Sequence, residues 1–191
     1  MLLEEIIKEI AICRACDIWE HYKINVPPEG NWTARLMFVG RDPGREEIEQ
    51  GRPFVGQAGR KLDALLKSLG IDRKAVFISN LVKCRPLNNI APPFARAKFC
   101  ADRFLKREIE VVSPKVIVCL GAEAARYLTG QVGVMSRIRG SVYKYGEIPV
   151  IPTWHPSYLV RLEKMDPEAY ADRAWEMYYD VEKALNMADE E

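Results

Sequence analysis

Four short apolar runs recur along the chain: RLMFVG (residues 35–40), VFISN (76–80), KVIVCLG (115–121) and IPVIPT (148–153). Runs this short and this continuously apolar are strands covered on both faces, because a strand with one wet face would alternate. Helical patterns lie between them. Leu62, Leu65, Leu66 and Leu69 form a stripe that predicts a helix over 59–70, stopped by Gly70. Similar patterns predict helices leading into Cys13 and over 91–112, 122–128 and 167–187, with a hairpin element at 140–146. Strands that alternate with helices build parallel sheets. The expectation is a three-layer α/β/α fold with a central four-stranded parallel sheet, in a single domain over residues 1–191. Pro149 and Pro152 lack an N–H for the ladder, which predicts an edge position for the fourth strand.

Parallel sheets bind ligands beyond the carboxyl ends of their strands. Those ends carry Gly40-Arg41-Asp42, Asn80, Gly121 and Trp154-His155-Pro156-Ser157. A carboxylate, a two-sided amide and one of only two histidines therefore converge. The other histidine, His21, has no motif around it and is expected at the surface. Phe54 adds a flat apolar face in a glycine-rich loop, where it is expected to be more exposed than a core side chain. An aromatic plate and an amide together can read one planar base, by stacking and by paired hydrogen bonds. A carboxylate and an imidazole beside such a base could break its bond to the sugar.

The 28 Lys and Arg against 27 Asp and Glu leave a formal charge of +1, so any polyanion site must come from local clustering. Lys83, Arg85, Arg96, Lys98, Arg103, Lys106 and Arg107 supply such a cluster, suited to phosphates or to a solvated helix face. No apolar run approaches the ~18 residues of a membrane span. The start, MLLEEIIKEIAIC, is acidic and amphipathic rather than a basic leader, which reads as a mature cytoplasmic chain. A monomer is the default expectation.

Of the five cysteines, Cys13-x-x-Cys16 is a chelating pair, and Cys84 and Cys100 form a second pair that a loop can close. Four thiolates suit a tetrahedral zinc or a [4Fe–4S] cluster, and the spacing does not choose between them. Cys119, inside KVIVCLG, is expected to be a core residue.

The segments GRDPG, GRPFVGQAG, SNLVKCRP and HPSYLVR resemble the uracil-DNA glycosylase superfamily, and most of all its iron–sulfur family 4, from about Cys13 to Arg161. The resemblance implies a monofunctional DNA glycosylase that hydrolyses the N-glycosidic bond of uracil in DNA and so initiates base-excision repair. It favours a [4Fe–4S] cluster on Cys13, Cys16, Cys84 and Cys100. It implies that Phe54 stacks on the base, that Asn80 bonds its edge, and that His155 steadies the departing anion, with help from the turn at Gly40. The first motif departs from the family, which usually reads Gly-Glu-Ala-Pro-Gly. Here Arg41 replaces the Glu. Asp42-Pro43 instead resembles the Asp-Pro of family 1, which makes Asp42 the expected catalytic carboxylate and leaves Arg41 to neutralise it or to grip a phosphate. Glu47 matches a loop acid that crowds the C5 edge of the base, though Ile48 stands where a second acid is usual. A polar helix start is the plainer reading of Glu46, Glu47 and Glu49. Ser157, Tyr158, Leu159 and Arg161 match the loop that enters the minor groove, with Tyr158 or Leu159 as wedge and Arg161 on phosphate. The altered first motif also admits another base, such as hypoxanthine, xanthine or mismatched thymine. A cluster-bearing protein that binds DNA without cutting is a further reading. The loop 86–100 lacks the histidine of covalent uracil-trapping relatives.

Overall fold

The computed structural model describes residues 2–190. Its sheet has six strands: β1 (Glu29–Gly30), β2 (Leu36–Gly40), β3 (Phe77–Asn80), β4 (Val116–Leu120), β5 (Tyr143–Tyr145) and β6 (Ile148–Thr153), in the order β1-β3-β2-β4-β6-β5. The four predicted strands are the central ones, and neighbours among them run parallel. Two short antiparallel strands are added at the rims, β1 on β3 and β5 on β6.

The edge position predicted for IPVIPT is corrected by this topology. β6 lies inside the sheet, between β4 and β5. Pro149 stands opposite Lys144 and Pro152 opposite Cys119. Proline lacks the ladder donor but keeps its acceptor, and the Pro152 carbonyl accepts from the Gly140 N–H at 2.9 Å. The covering strand is only three residues long and is reached through a turn with Gly146 at φ +58°.

Strand geometry sends successive side chains to opposite faces. Leu36 and Phe38 of β2, with Val116, Val118 and Leu120 of β4, pack under Leu62, Leu66, Met177 and Val181 of the helices Gln57–Ser68 and Pro167–Asp189. Met37, Val39, Ile117 and Cys119 face the other way, against Leu3, Ile6, Ile10, Ala101 and Ala124. Cys119 is a fully buried core residue, as expected. The segment 91–112 is two helices, Phe94–Arg103 and Leu105–Val112, broken where the buried Phe104 leaves helical geometry (φ −122°, ψ −58°). Among the described residues no helix is long and apolar enough to cross a membrane.

The register positions the chemistry. Gly40 pairs with Asn80, and Leu120 pairs with Thr153, so the four carboxyl ends finish level.

Candidate functional site

A cavity of about 560 Å³ opens at those level strand ends. Its walls include Arg41, Asp42, Glu47, Phe54, Asn80 and His155, the six side chains that the sequence singles out for the base and its chemistry. Residues 44, 58, 89, 120–123, 157 and 161 complete the lining.

Gly40 lies against both readers of the cavity. A Cβ at Gly40 would stand 2.5 Å from Asn80 Oδ1 and 2.5 Å from Phe54 Cζ. Asn80 is 4% exposed, and its Oδ1 has no hydrogen-bond partner. A buried amide oxygen without a donor costs free energy until something supplies an N–H or O–H.

The exposure expected of Phe54 is overturned. The ring is 5% exposed and belongs to the apolar cluster with Phe38, Leu62 and Leu66. Its backbone adopts the left-handed region at φ +50°. Gly59 makes that loop possible, since a Cβ there would collide with the Phe54 carbonyl. The glycines bring the backbone close rather than leaving the ring open. One part of the ring still walls the cavity, and it lies 5.8 Å from the His155 ring at an interplanar angle of 35°.

Arg41 and Asp42 meet as an ion pair. Arg41 Nε donates to Asp42 Oδ2, and its second guanidinium nitrogen reaches Oδ1 at 3.5 Å. The Asp42 carboxyl is 8% exposed and the Arg41 side chain 31%. Burial raises the Asp42 pKa above the ordinary carboxylate value, against the hydrogen bond and charge of Arg41 and the charge of Arg85. Of the two roles expected for Arg41, neutralising Asp42 is the one this arrangement displays.

His155 is the N-cap of the helix Pro156–Met165. The Ser157 backbone N–H donates to His155 Nδ1 at 3.1 Å, with Ser157 Oγ 2.8 Å away. An Nδ1 that accepts from a backbone N–H carries no proton, so the neutral ring holds its proton on Nε2. Burial, with the charges of Arg41 and Arg161, lowers the pKa to about 4. The helix-capping reading and the catalytic reading of His155 are therefore one arrangement. The cap selects the tautomer.

Glu47 is a clamp. Its Oε1 accepts from the N–H groups of Val55 (3.0 Å) and Gly56 (2.8 Å), which fixes the loop after Phe54. Glu46 and Glu49 pair with Arg60 and Arg45, as a polar helix start would. Glu47→Ala is expected to lower stability by about 2–4 kcal/mol, because two backbone donors lose a charged acceptor. Glu47→Gln should lose less, since one carbonyl oxygen remains. Thermal unfolding of both variants checks the order.

The segment expected to carry Leu159 as a loop is helical here. Leu159 is 5% exposed and packs in the cluster with Met177 and Leu62. The repeat of the helix Pro156–Met165 turns it inward, which a loop reading of the motif does not anticipate. Tyr158 is half-buried against Trp154, with ring centroids 5.1 Å apart, and the Arg161 guanidinium lies 5.7 Å from its ring centroid. Ser157 is engaged with His155, and Arg161 is exposed at the rim.

The basic surface expected around Cys84 and Cys100 is corrected at Lys83, while Arg103 and Lys106 are exposed. Lys83 is 2% exposed, and its Nζ bonds Ser79 Oγ (2.7 Å), the Asn80 carbonyl (2.9 Å) and Glu108 Oε2 (3.0 Å). Arg96, Lys98 and Arg107 pair with Asp17, Asp102 and Glu9. Asp17 and Glu9 come from segments distant in the chain, whereas Asp102 lies one helical turn from Lys98. Glu108 reads as one more charge on a helix, yet it is fully buried.

Cys13, Cys16, Cys84 and Cys100 line one small apolar cavity with Trp19, Phe99 and Phe104. Burial, reinforced by the neighbouring thiols, pushes the Cys84 pKa up to about 12, and burial raises Cys100 to about 11. Thiols so placed stay protonated unless a cation draws the protons off. Among the described residues no group of three or more His, Cys, Asp or Glu side chains is arranged to hold a metal ion.

Comparison with known proteins bears on the same residues. The family model for the uracil DNA glycosylase superfamily matches residues 27–178. A type-4 uracil-DNA glycosylase of Thermotoga maritima is 43% identical over 162 residues, covering 84% of each chain. One from Sulfurisphaera tokodaii is 41% identical over 164 residues, 81% of this chain and 74% of the relative. One from Archaeoglobus fulgidus is 38% identical over 178 residues, 89% of each.

Proposed function

The chain belongs to the uracil-DNA glycosylase superfamily, and from that premise we propose how its site carries out the reaction. The protein is a DNA glycosylase that hydrolyses the N-glycosidic bond of uracil in DNA, the first step of base-excision repair.

One observation carries the recognition step: the buried, unpartnered Asn80 Oδ1 inside a cavity walled by Phe54, His155 and Asp42. A nucleotide turned out of the stack brings uracil into such a cavity. The ring N3–H of uracil supplies the donor that Oδ1 lacks, and the Asn80 NH₂ group donates to the adjacent carbonyl. Cytosine presents an acceptor at N3 and would leave two acceptors facing each other. Phe54 packs against the base.

Breaking the bond leaves negative charge on the base and positive charge on the sugar. His155, neutral with its proton on Nε2, donates to a base oxygen and stabilises the anion without having to lose a proton. Asp42 orients water and stabilises the sugar cation. Its partner Arg41 must loosen for either task, and a phosphate of the flipped nucleotide is a competing anion for that guanidinium.

The four cysteines suit a [4Fe–4S] cluster. Cys13, Cys16, Cys84 and Cys100, which line one apolar cavity, would hold it through their thiolates. When bound, the cluster crosslinks the segment after the helix Leu3–Ile12 to the loop after β3 and to the helix Phe94–Arg103. Cys84→Ser is expected to bleach a brown protein, abolish its broad visible absorption and lower its melting temperature. A colourless wild-type protein containing stoichiometric zinc would refute the cluster. A monomer in the cytoplasm, where the chromosome of a prokaryote is accessible, completes the reading.

The test uses oligonucleotides carrying U, hypoxanthine, xanthine or mismatched T, followed by alkali. Strand breaks are expected with U. Breaks only at another base, or gel retention without breaks, would overturn the assignment.

A further inference from the structure

Turning a nucleotide out of a duplex leaves a gap in the stack, which DNA-bending and base-flipping proteins fill with an apolar side chain. Of the two residues expected for this, Leu159 is buried, and Tyr158 is half-buried against Trp154, with Arg161 5.7 Å from its ring centroid. The cavity rim offers a different apolar tip. Leu87 and Ile90 are 47% and 68% exposed, and between them Asn89 walls the cavity.

The backbone holds this tip out. Ile90 N–H donates to the Leu87 carbonyl at 3.0 Å, across Asn88 and Asn89 at φ +53° and +58°. These are the angles of a type I′ turn, which asparagine tolerates through its short polar side chain. Leu87 and Ile90 flank the turn, and both side chains are exposed. The turn is braced by Arg85, whose Nε donates to Asn89 Oδ1 at 3.0 Å while its guanidinium lies 4.8 Å over the Tyr22 ring. Pro86, Pro92 and Pro93 stiffen both approaches. Arg41 and Arg161, on the same cavity wall, supply positive charge for the flanking phosphates.

We propose that Leu87 and Ile90 are the wedge that occupies the duplex gap left by the extruded uracil nucleotide. The inference rests on the glycosylase reading of the adjoining cavity. It gives these two exposed aliphatic side chains beside a polar cavity a partner in the duplex stack.

The test compares uracil excision from single-stranded and duplex oligonucleotides of one sequence, using the intact metal-loaded protein. Single strands have no stack to plug. Leu87→Ala/Ile90→Ala is expected to lower duplex excision roughly tenfold or more, with single-strand excision within about twofold, a change in the ratio that a folding defect would not produce. Leu87→Ser/Ile90→Ser should do the same, whereas Leu87→Met/Ile90→Met should restore duplex excision. An unchanged ratio in the alanine double variant would overturn the proposal. So would a selective duplex loss in Tyr158→Ala alone, which would assign the wedge to the helix Pro156–Met165. Wild-type protein that excises uracil from neither substrate would instead refute the glycosylase reading.

Discussion

Asp42→Asn is expected to lower the single-turnover rate of uracil excision by about 10²- to 10⁴-fold, the range for loss of a positioned general base. Binding of uracil-containing DNA should change little, because the amide keeps the shape of the carboxyl and removes only its charge. Asp42 differs from an ordinary surface carboxylate in two respects. It is buried, which raises its pKa, and Arg41 opposes that rise through a hydrogen bond and its charge. The anion is the working form, so the rate should fall as pH drops through the Asp42 titration. Arg41→Gln removes the main group that lowers this pKa. The acid limb of the pH–rate profile should therefore move to higher pH. If Arg41 also competes for a phosphate, the same variant should weaken DNA binding and flatten its salt dependence. A profile that moves to lower pH, or an Asp42→Asn enzyme with a normal rate, would show that the carboxylate of this turn is a structural residue.

Removing the His155 donor is the second large effect. His155→Ala should lower the excision rate by about 10²- to 10³-fold, the cost of losing one donor to a developing anion. The alanine also strips the N-cap from the helix Pro156–Met165, with a cost of about 1 kcal/mol. His155→Asn separates the two. Asparagine is a good N-cap, so stability should return, but its short amide does not carry a donor to where the imidazole Nε2 stands. The rate should stay low. Recovery of the rate in His155→Asn would mean that the cap, and not the ring, matters.

The same ring gives a pH dependence to stability. Its folded-state pKa of about 4 lies below the ordinary 6.5. As pH falls from 6.5 towards 4, the unfolded chain takes up a proton that the folded chain does not. Stability is therefore full above about 6.5 and declines below it, by up to about 3 kcal/mol. Asp42 runs the other way, since its raised pKa lets the folded chain take the proton first. Denaturant unfolding between pH 4 and 8 should show the histidine slope, and it should vanish in His155→Asn.

The pieces of this protein that were legible in its sequence are the ones written locally. Each central strand is a run of four to six mostly apolar residues, and a cavity-lining residue is its last one or follows within two positions. Strand period and strand termination are properties of neighbours in the chain, so Asp42, Asn80 and His155 could be named in advance as companions. The four cysteines could be paired for the same reason. Tertiary structure decided what depends on contacts across long separations. Leu159 and Phe54 are buried because a helix and a glycine-supported loop turn them onto a sheet built from distant strands. Lys83 is no surface cation because Glu108, 25 residues away, folds over it. β6 is not an edge because a three-residue strand pairs with its far side. The upward shift of the Asp42 pKa and the tautomer of His155 also came from packing, through burial and the helix cap. Burial and partnership are set by the whole packed chain, and no window of sequence contains them.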